Sequence, residues 1–249
     1  MTLTGTFLNV GAVIVGGTIG VAFGNRLRET IRETVMASLG LITLVIGARM
    51  SITTHNPLVP LFATLFGGIL GELLRLDDHL KSIGKALERR YDSVKRTAVD
   101  PNDKRATWDF TQAYITGTLI FCIGPLTFVG SFQQGLQGNY DLIVTNASLD
   151  FFVAIAFGAS LGPGIIAACL SVLAVQTLIT TLAVVLKSQI GSVTATTPWV
   201  VEFGAVGGVL ILGVSAKLLE IKKIRLPNLL PAAVIAPLLV VALQRLGYW

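Results

Sequence analysis

Residues 106–186 read ATWDFTQAYITGTLIFCIGPLTFVGSFQQGLQGNYDLIVTNASLDFFVAIAFGASLGPGIIAACLSVLAVQTLITTLAVVL, a stretch without a single Lys, Arg or His. Immediately before it, residues 75–105 hold nine of the chain's 19 basic side chains. Short loops that stay in the cytoplasm keep Lys and Arg while exported loops lack them, so this contrast is a topology signal. Working outward, Arg26, Arg28 and Arg32 fall in one loop and Lys217, Lys222, Lys223 and Arg225 in another, which puts sixteen basic residues on one side. Only Arg49, Lys187 and Arg245 fall on the other. About eight spans with both termini outside satisfy every loop at once.

Composition excludes an ordinary soluble domain. Of the 249 residues 53% are hydrophobic and 13% charged, and the mean hydropathy is +0.74, whereas soluble domains carry roughly a quarter charged residues. The net charge of +5 and the pI near 9.4 do not indicate nucleic acid, because the basic residues follow the loops and form no patch among aromatics. Cys122 and Cys169 lie in apolar runs without the paired spacing of a metal or redox site, and read as packing residues. Residues 1–6 contain no Lys or Arg, so the first apolar run reads as a retained helix and not a cleaved signal.

The expected fold class is therefore all-α, a polytopic membrane protein of about eight transmembrane helices, some short or broken. The spans cover residues 7–23, 35–50, 58–74, 110–129, 149–161, 164–186, 199–219 and 229–246. Several are short for roughly 30 Å of hydrocarbon at about 1.5 Å per residue, and the fifth is short enough for a half-helix. Beyond the third span, Leu76, Leu80, Ile83, Leu87, Tyr91 and Val94 recur at steps of three and four, the pattern of an amphipathic helix. Its basic face, with Lys81, Lys85, Arg89 and Arg90, suits either anionic lipid headgroups or plain solvation. Asp100, Pro101 and Asn102 mark a turn before the chain re-enters the membrane. The chain thus divides into a three-helix unit over residues 1–76, a connector over 77–106 and a five-helix unit over 107–249.

Glycine is the next signal, with 26 residues, many inside spans. The first span carries Gly16, Gly17 and Gly20, and the third carries Gly67, Gly68 and Gly71, the same GGxxG spacing. Such residues let helices approach closely, either within one protomer or between two copies in a homodimer.

The opening Gly5-Thr6-Phe7-Leu8-Asn9 with its Gly-Gly run, Gly40-Leu41 leading to Gly47, and Gly67-Gly68-Ile69-Leu70-Gly71-Glu72 resemble the YdfK/YqgA-type bacterial integral membrane proteins, a family of unknown function. Phe121-Cys122-Ile123-Gly124, the Leu149-Asp150 pair, Gln176 and Asn228-Leu229-Leu230-Pro231 extend the resemblance over nearly the whole chain. It departs at Pro125, where the family has a small or sulfur-bearing residue, and at Thr177, where it has Gly. It implies a multi-pass protein of the bacterial inner (plasma) membrane and assigns no activity.

Function has to be argued from what is costly inside a bilayer. Gly124-Pro125 interrupts the fourth span and reads either as a packing kink or as irregular backbone lining a wet cavity, and Leu161-Gly162-Pro163-Gly164 separates the fifth from the sixth and reads either as a tight cytoplasmic turn between two ordinary spans or as such irregular backbone. Asn9, Asn146, Asp150, Gln176, Glu202 and Asn228 lie in or at the edges of spans. Asp150 and Glu202 read either as hydrated interfacial carboxylates or as a cation or proton site, and Gln176 and Thr180 add oxygens one helical turn apart. The candidate solute or ion path is Asp150, Gln176, Thr180, Gly124, Pro125 and Asn146. Residues 130–146 read as an uncharged external loop except for Asp141, or as a re-entrant entrance. No HExxH, Cys/His cluster or phosphate-binding Gly-Lys-Ser/Thr run is present, and His55 and His79 lack a nucleophile at a helical interval. The expectation is no enzyme, no metal and no cofactor: membrane lipid, a small solute or ion and a second copy are the expected partners, with a transporter or channel set against an accessory subunit of a membrane complex.

Overall fold

A computed structural model describes residues 3–24, 28–96, 109–185, 194, 196–222 and 224–247. The turn at Asp100, Pro101 and Asn102, together with Arg26, Lys104, Arg105, Lys187 and Lys223, lies outside the described residues. Ten α-helices follow in order: α1 (Thr4–Gly24), α2 (Glu29–Ser51), α3 (Leu58–Leu73), α4 (Leu76–Arg96), α5 (Phe110–Cys122), α6 (Pro125–Gln137), α7 (Asp141–Leu161), α8 (Gly164–Val185), α9 (Pro198–Leu218) and α10 (Pro231–Arg245), with one 3-10 turn (Leu226–Leu229) before the last. Six spans are long and apolar enough to cross a membrane as they stand, and two bent pairs, α3 with α4 and α5 with α6, bring the number up to eight. The protein is all-α and multi-pass.

Helix directions follow from which residues meet. Gly5 lies against Tyr140 and Ile143, Gly16 against Ala154 and Gly20 against Ala159, so α1 and α7 run parallel. Gly40 meets Leu219 while Gly47 meets Leu212, and Gly67 meets Ala232 while Gly71 meets Asn228, so the pairs α2–α9 and α3–α10 are antiparallel. A parallel α1–α7 pair requires an odd number of crossings between the two, and with α2 and α3 supplying two, α5 and α6 make one broken crossing and not a re-entrant hairpin.

The pattern inside the bundle inverts that of a soluble protein. In α1 the buried face is Gly5, Thr6, Asn9, Val13, Gly16, Gly17, Gly20 and Gly24, while Phe7, Leu8, Val15 and Phe23 point outward. Lipid tails solvate large apolar groups as well as a core does, so small residues go inside where backbones can touch. The GGxxG sets work in this way within the chain. Any Cβ on Gly16 or Gly20 would strike the backbone oxygens of Phe151 or Ile155, Gly17 abuts Ile166, and Gly67, Gly68 and Gly71 receive Ala232, Leu229 and Asn228. These faces, suited either to packing within one protomer or to a second copy, are thus filled intramolecularly. α9 is the centre of the bundle, with 72% of its apolar window buried, against 17% for α2. Around its start Phe128, Phe132, Trp199 and Phe203 form an aromatic cluster, with Phe128 and Phe203 centroids 4.2 Å apart.

Two open readings are decided, at Gly124-Pro125 and at Gly162-Pro163-Gly164, and two expectations change. The fourth span is no continuous helix with a kink: it breaks at Ile123-Gly124 and turns by 58°, and Pro125 opens α6 at a first-turn position where a missing N–H is harmless. Residues 130–146 are not an external loop, since they belong to α6 and α7 except for Gly138, Asn139 and Tyr140, where Gly138 at φ 71 closes α6. The fifth span is no half-helix, because α7 begins at Asp141 and runs 21 residues. Gly162-Pro163-Gly164 is a buried tight turn between two full-length spans, made possible by Gly162 at φ 90.

Two non-glycine residues adopt positive φ, Arg75 (φ 50) and Glu220 (φ 56), where α3 and α9 end. Both lie at the end of the bundle that carries Lys81, Lys217, Lys222 and Arg225, the basic end. The α9 terminus is secured by Ile221 N–H donating to the Ala216 carbonyl at 2.9 Å, a Schellman-type closure. α4 turns away from α3 by 60° and packs on α5, with Gly84 against Thr111 and Tyr91 stacked on Phe110 at 5.4 Å. Lys81, Lys85, Arg89 and Arg90 stay exposed.

Candidate functional site

Between α1, α6, α7 and α8, at the half of the bundle away from the basic end, polar side chains replace the apolar core. The Gln134 carboxamide on α6 is the hub. Its oxygen accepts from Gly5 N–H at 2.9 Å, and its nitrogen donates to Thr6 Oγ1 at 3.2 Å and to Thr180 Oγ1 at 3.4 Å. Thr180 in turn donates to the Ser131 carbonyl at 3.2 Å. This layer ties α1, α6 and α8 together.

One helical turn deeper the pairing stops. Thr6 and Thr180 share Gln134, so the next residues along α1 and α8, Asn9 and Gln176, fall at the same level of the bundle. Both are 0% exposed; neither the nitrogen nor the oxygen of the Gln176 carboxamide has a hydrogen-bond partner, while the Asn9 amide is directed at the Asp150 carboxylate. Leaving a buried amide unpaired costs roughly 1–3 kcal/mol. Asn9 adjoins Asp150 of α7, and Asp150 Oδ2 accepts from Asn146 Nδ2 at 2.7 Å. Asp150 is 7% exposed and lies well inside α7, not at a hydrated end. A groove of about 330 Å³ on the lipid side of the α1–α7 pair, lined by Leu8, Ala12, Ala147, Ser148 and Phe151 among others, runs alongside this level.

Toward the basic end the polar lane continues along α5 and α8. Tyr114 Oη and Thr118 Oγ1 each lie 2.9 Å from Ser171 Oγ. At the α5–α6 break Thr127 Oγ1 donates to the Phe121 carbonyl at 3.0 Å, replacing a bond that the helix would have made. Gly124 and Pro125 therefore act through the break itself, which lets α6 change direction and present Ser131 and Gln134 to α1 and α8.

Two residues grouped with these on sequence grounds do other work. Glu202 is fully buried at the start of α9 and accepts from Thr54 Oγ1 (2.6 Å), His55 N–H (2.7 Å) and Asn56 N–H (3.3 Å), clamping the α2–α3 loop. Asn228 accepts from Asp77 N–H at 2.7 Å and donates to Glu72 at 2.5 Å, holding the corner between α3, α4 and the 3-10 turn. Among the described residues no three His, Cys, Asp or Glu side chains are placed to hold a metal. Of the expected path, Asp150, Asn146, Gln176 and Thr180 are brought into one region, while Thr6, Asn9, Ser131 and Gln134 are additions. Gln134 was readable: Val129, Phe132 and Leu136 around Ser131 and Gln134 recur at helical steps.

Among curated proteins, the chain is similar to "Uncharacterized protein YqgA" of Escherichia coli (strain K12), 29% identical over 232 residues, covering 93% of this chain and 94% of the relative. It is also similar to "Uncharacterized membrane protein YdfK" of Bacillus subtilis (strain 168), 28% identical over 248 residues and 98% of each chain. No solved structure matches it. A family profile described as "Protein of unknown function (DUF554)" matches residues 4–241, from the start of α1 into α10, and the chain therefore belongs to that family.

Proposed function

We propose that the protein is a small gradient-driven transporter or channel for a cation or small polar solute, carried past Asp150, Asn9 and Gln176 in the bacterial inner membrane. The observation that carries this reading is the fully buried, unpartnered Gln176 carboxamide at the level of the buried Asn9 and Asp150. A chain selected for packing alone has no reason to keep an unsatisfied carboxamide in its core, whereas a binding site needs free donors and acceptors. The site contains no fixed positive charge, so it suits a cation or a neutral polar molecule better than an anion. No nucleotide-binding motif occurs in the sequence, which favours a gradient as the energy source. In this reading the basic end is cytoplasmic and both termini are outside.

The alternative is a non-catalytic subunit of a membrane complex, and the fully bonded Gln134 layer favours it. That reading calls for Gln176 to be paired as well, and its unpartnered carboxamide among the described residues supports the transport reading. A solute screen in proteoliposomes comparing the native chain with Asp150→Asn and Gln176→Ala separates the two. For a carried cation, Asp150→Asn abolishes uptake in a protein that still folds. If both variants matched native flux for every solute carried, the site would be wrong; if nothing were carried, the subunit reading would replace it.

A further inference from the structure

At the basic end, away from the polar core, a cavity of about 660 Å³ opens between α4, the start of α5 and the end of α9. Its charged lining is Lys81, Lys217, Lys222 and Arg225 against Asp77 and Glu220. The volume is within the range of small-molecule sites. Each nearby acid has a commitment of its own. Asp77, 5% exposed, pairs with Lys81; Asp109 caps α5, its Oδ1 accepting from Gln112 N–H at 2.8 Å; Arg225 is held by Glu72 outside the cavity at 2.5 Å. Lys217, half-buried in the last turn of α9, has no ion-pair partner among the described residues, and Lys222 is exposed at the mouth. The αL turn at Glu220 folds the chain back so that Lys217 and Lys222 line the same space.

We infer that this cavity binds a phosphate-bearing anion, with Lys217 and Lys222 as its principal ligands and Arg225 and Lys81 at the margin. With Lys81 paired to Asp77 and Arg225 to Glu72, the charged lining leaves Lys217 and Lys222 against Glu220, and basic pockets between transmembrane helices at a membrane surface are where anionic headgroups lodge. α4 forms one wall through Asp77 and Lys81, so a headgroup can enter from the adjacent leaflet and a free phosphate from solution. The chemistry is shared, and the test separates the sources. This site is independent of the proposed solute path.

The test is native mass spectrometry of the full chain released from micelles containing equal phosphatidylglycerol and phosphatidylcholine, with and without inorganic phosphate, alongside thermal melting in phosphate or chloride. Phosphatidylglycerol should be retained over phosphatidylcholine, and Lys222→Gln or Lys217→Gln should each lower that retention roughly fivefold, the effect of one cation near a headgroup. Lys85→Gln, on the exposed face of α4 outside the cavity, should leave it unchanged. Retention of phosphatidylglycerol that inorganic phosphate does not displace assigns the site to lipid; a phosphate-dependent rise in melting temperature, lost in Lys222→Gln, assigns it to free phosphate. Equal retention of both lipids with no phosphate effect overturns the proposal, as does a Lys85→Gln effect equal to that of Lys222→Gln. Lys222 is exposed, so its variant keeps the test decisive even if Lys217→Gln fails to fold.

Discussion

Replacing Gln176 by Met keeps the length of the side chain and removes two polar atoms that have no partner in the core. Desolvating an unpaired amide costs roughly 1–3 kcal/mol, and that cost disappears with the amide. For a chain of this size each kcal/mol corresponds to about 2–4 °C in melting temperature, so Gln176→Met should melt about 2–12 °C above native. Flux of any carried solute should fall at the same time, because the donor and acceptor facing the path are gone. The assay is paired: thermal melting in mild detergent, followed by uptake in proteoliposomes from the same preparation. A variant that melted below native would mean that the carboxamide is engaged in holding the fold, and the reasoning that function keeps it there would fail. A variant that gained stability and kept full flux would leave the unpaired atoms real but move the path elsewhere.

Glu202→Ala removes the acceptor of three bonds that pin residues 54–56 and should destabilise by about 3 kcal/mol, read as a drop in melting temperature without change in solute selectivity. Gly20→Leu drives a side chain into the backbone of α7 and should abolish the folded protomer in detergent sizing, an overpacking effect of about 3 kcal/mol or more, whereas Gly11→Leu, with nothing within 4 Å, should fold as native. If Gly20→Leu gave a folded monomer from a native dimer, the intramolecular assignment of that face would be wrong. A reporter active only outside the cytoplasm should work when fused after residue 249 and fail within residues 81–90; the reverse pattern would overturn the orientation.

Most of the architecture was legible because the bilayer imposes simple rules on sequence. The positions of Lys and Arg call for about eight crossings, and the parallel contact of α1 with α7 agrees with that parity. The amphipathic steps from Leu76 to Tyr91 marked α4 correctly. What failed was the polar segment after Val129. Gln, Gly and Ser there imitate a loop by composition, yet Ser131 and Gln134 are polar because they face Thr6 and Thr180 inside the bundle, not because they face water. The same error displaced Asp150 to an interface, since starting α7 at Leu149 instead of Asp141 removes the two helical turns that carry it inward. Asn9 and Gln176 stood out individually as intramembrane polar residues, but their common level depends on which helices are neighbours, and no local pattern encodes that.

The three spans of the first third scarcely touch one another: α1 is mated to α7, α2 to α9 and α3 to α10. On the ribosome this becomes a problem of waiting. At about 5–20 residues per second, the partner of α1 is completed roughly 7–30 s after α1 itself emerges. Through that interval three helices lined with glycine occupy the membrane with their tightest surfaces unfilled, in the company of lipid or of the insertion machinery. A fragment ending after α4 therefore has no native structure to reach, and the order in which the late helices arrive, α7, then α9, then α10, dictates the order in which the early ones are captured.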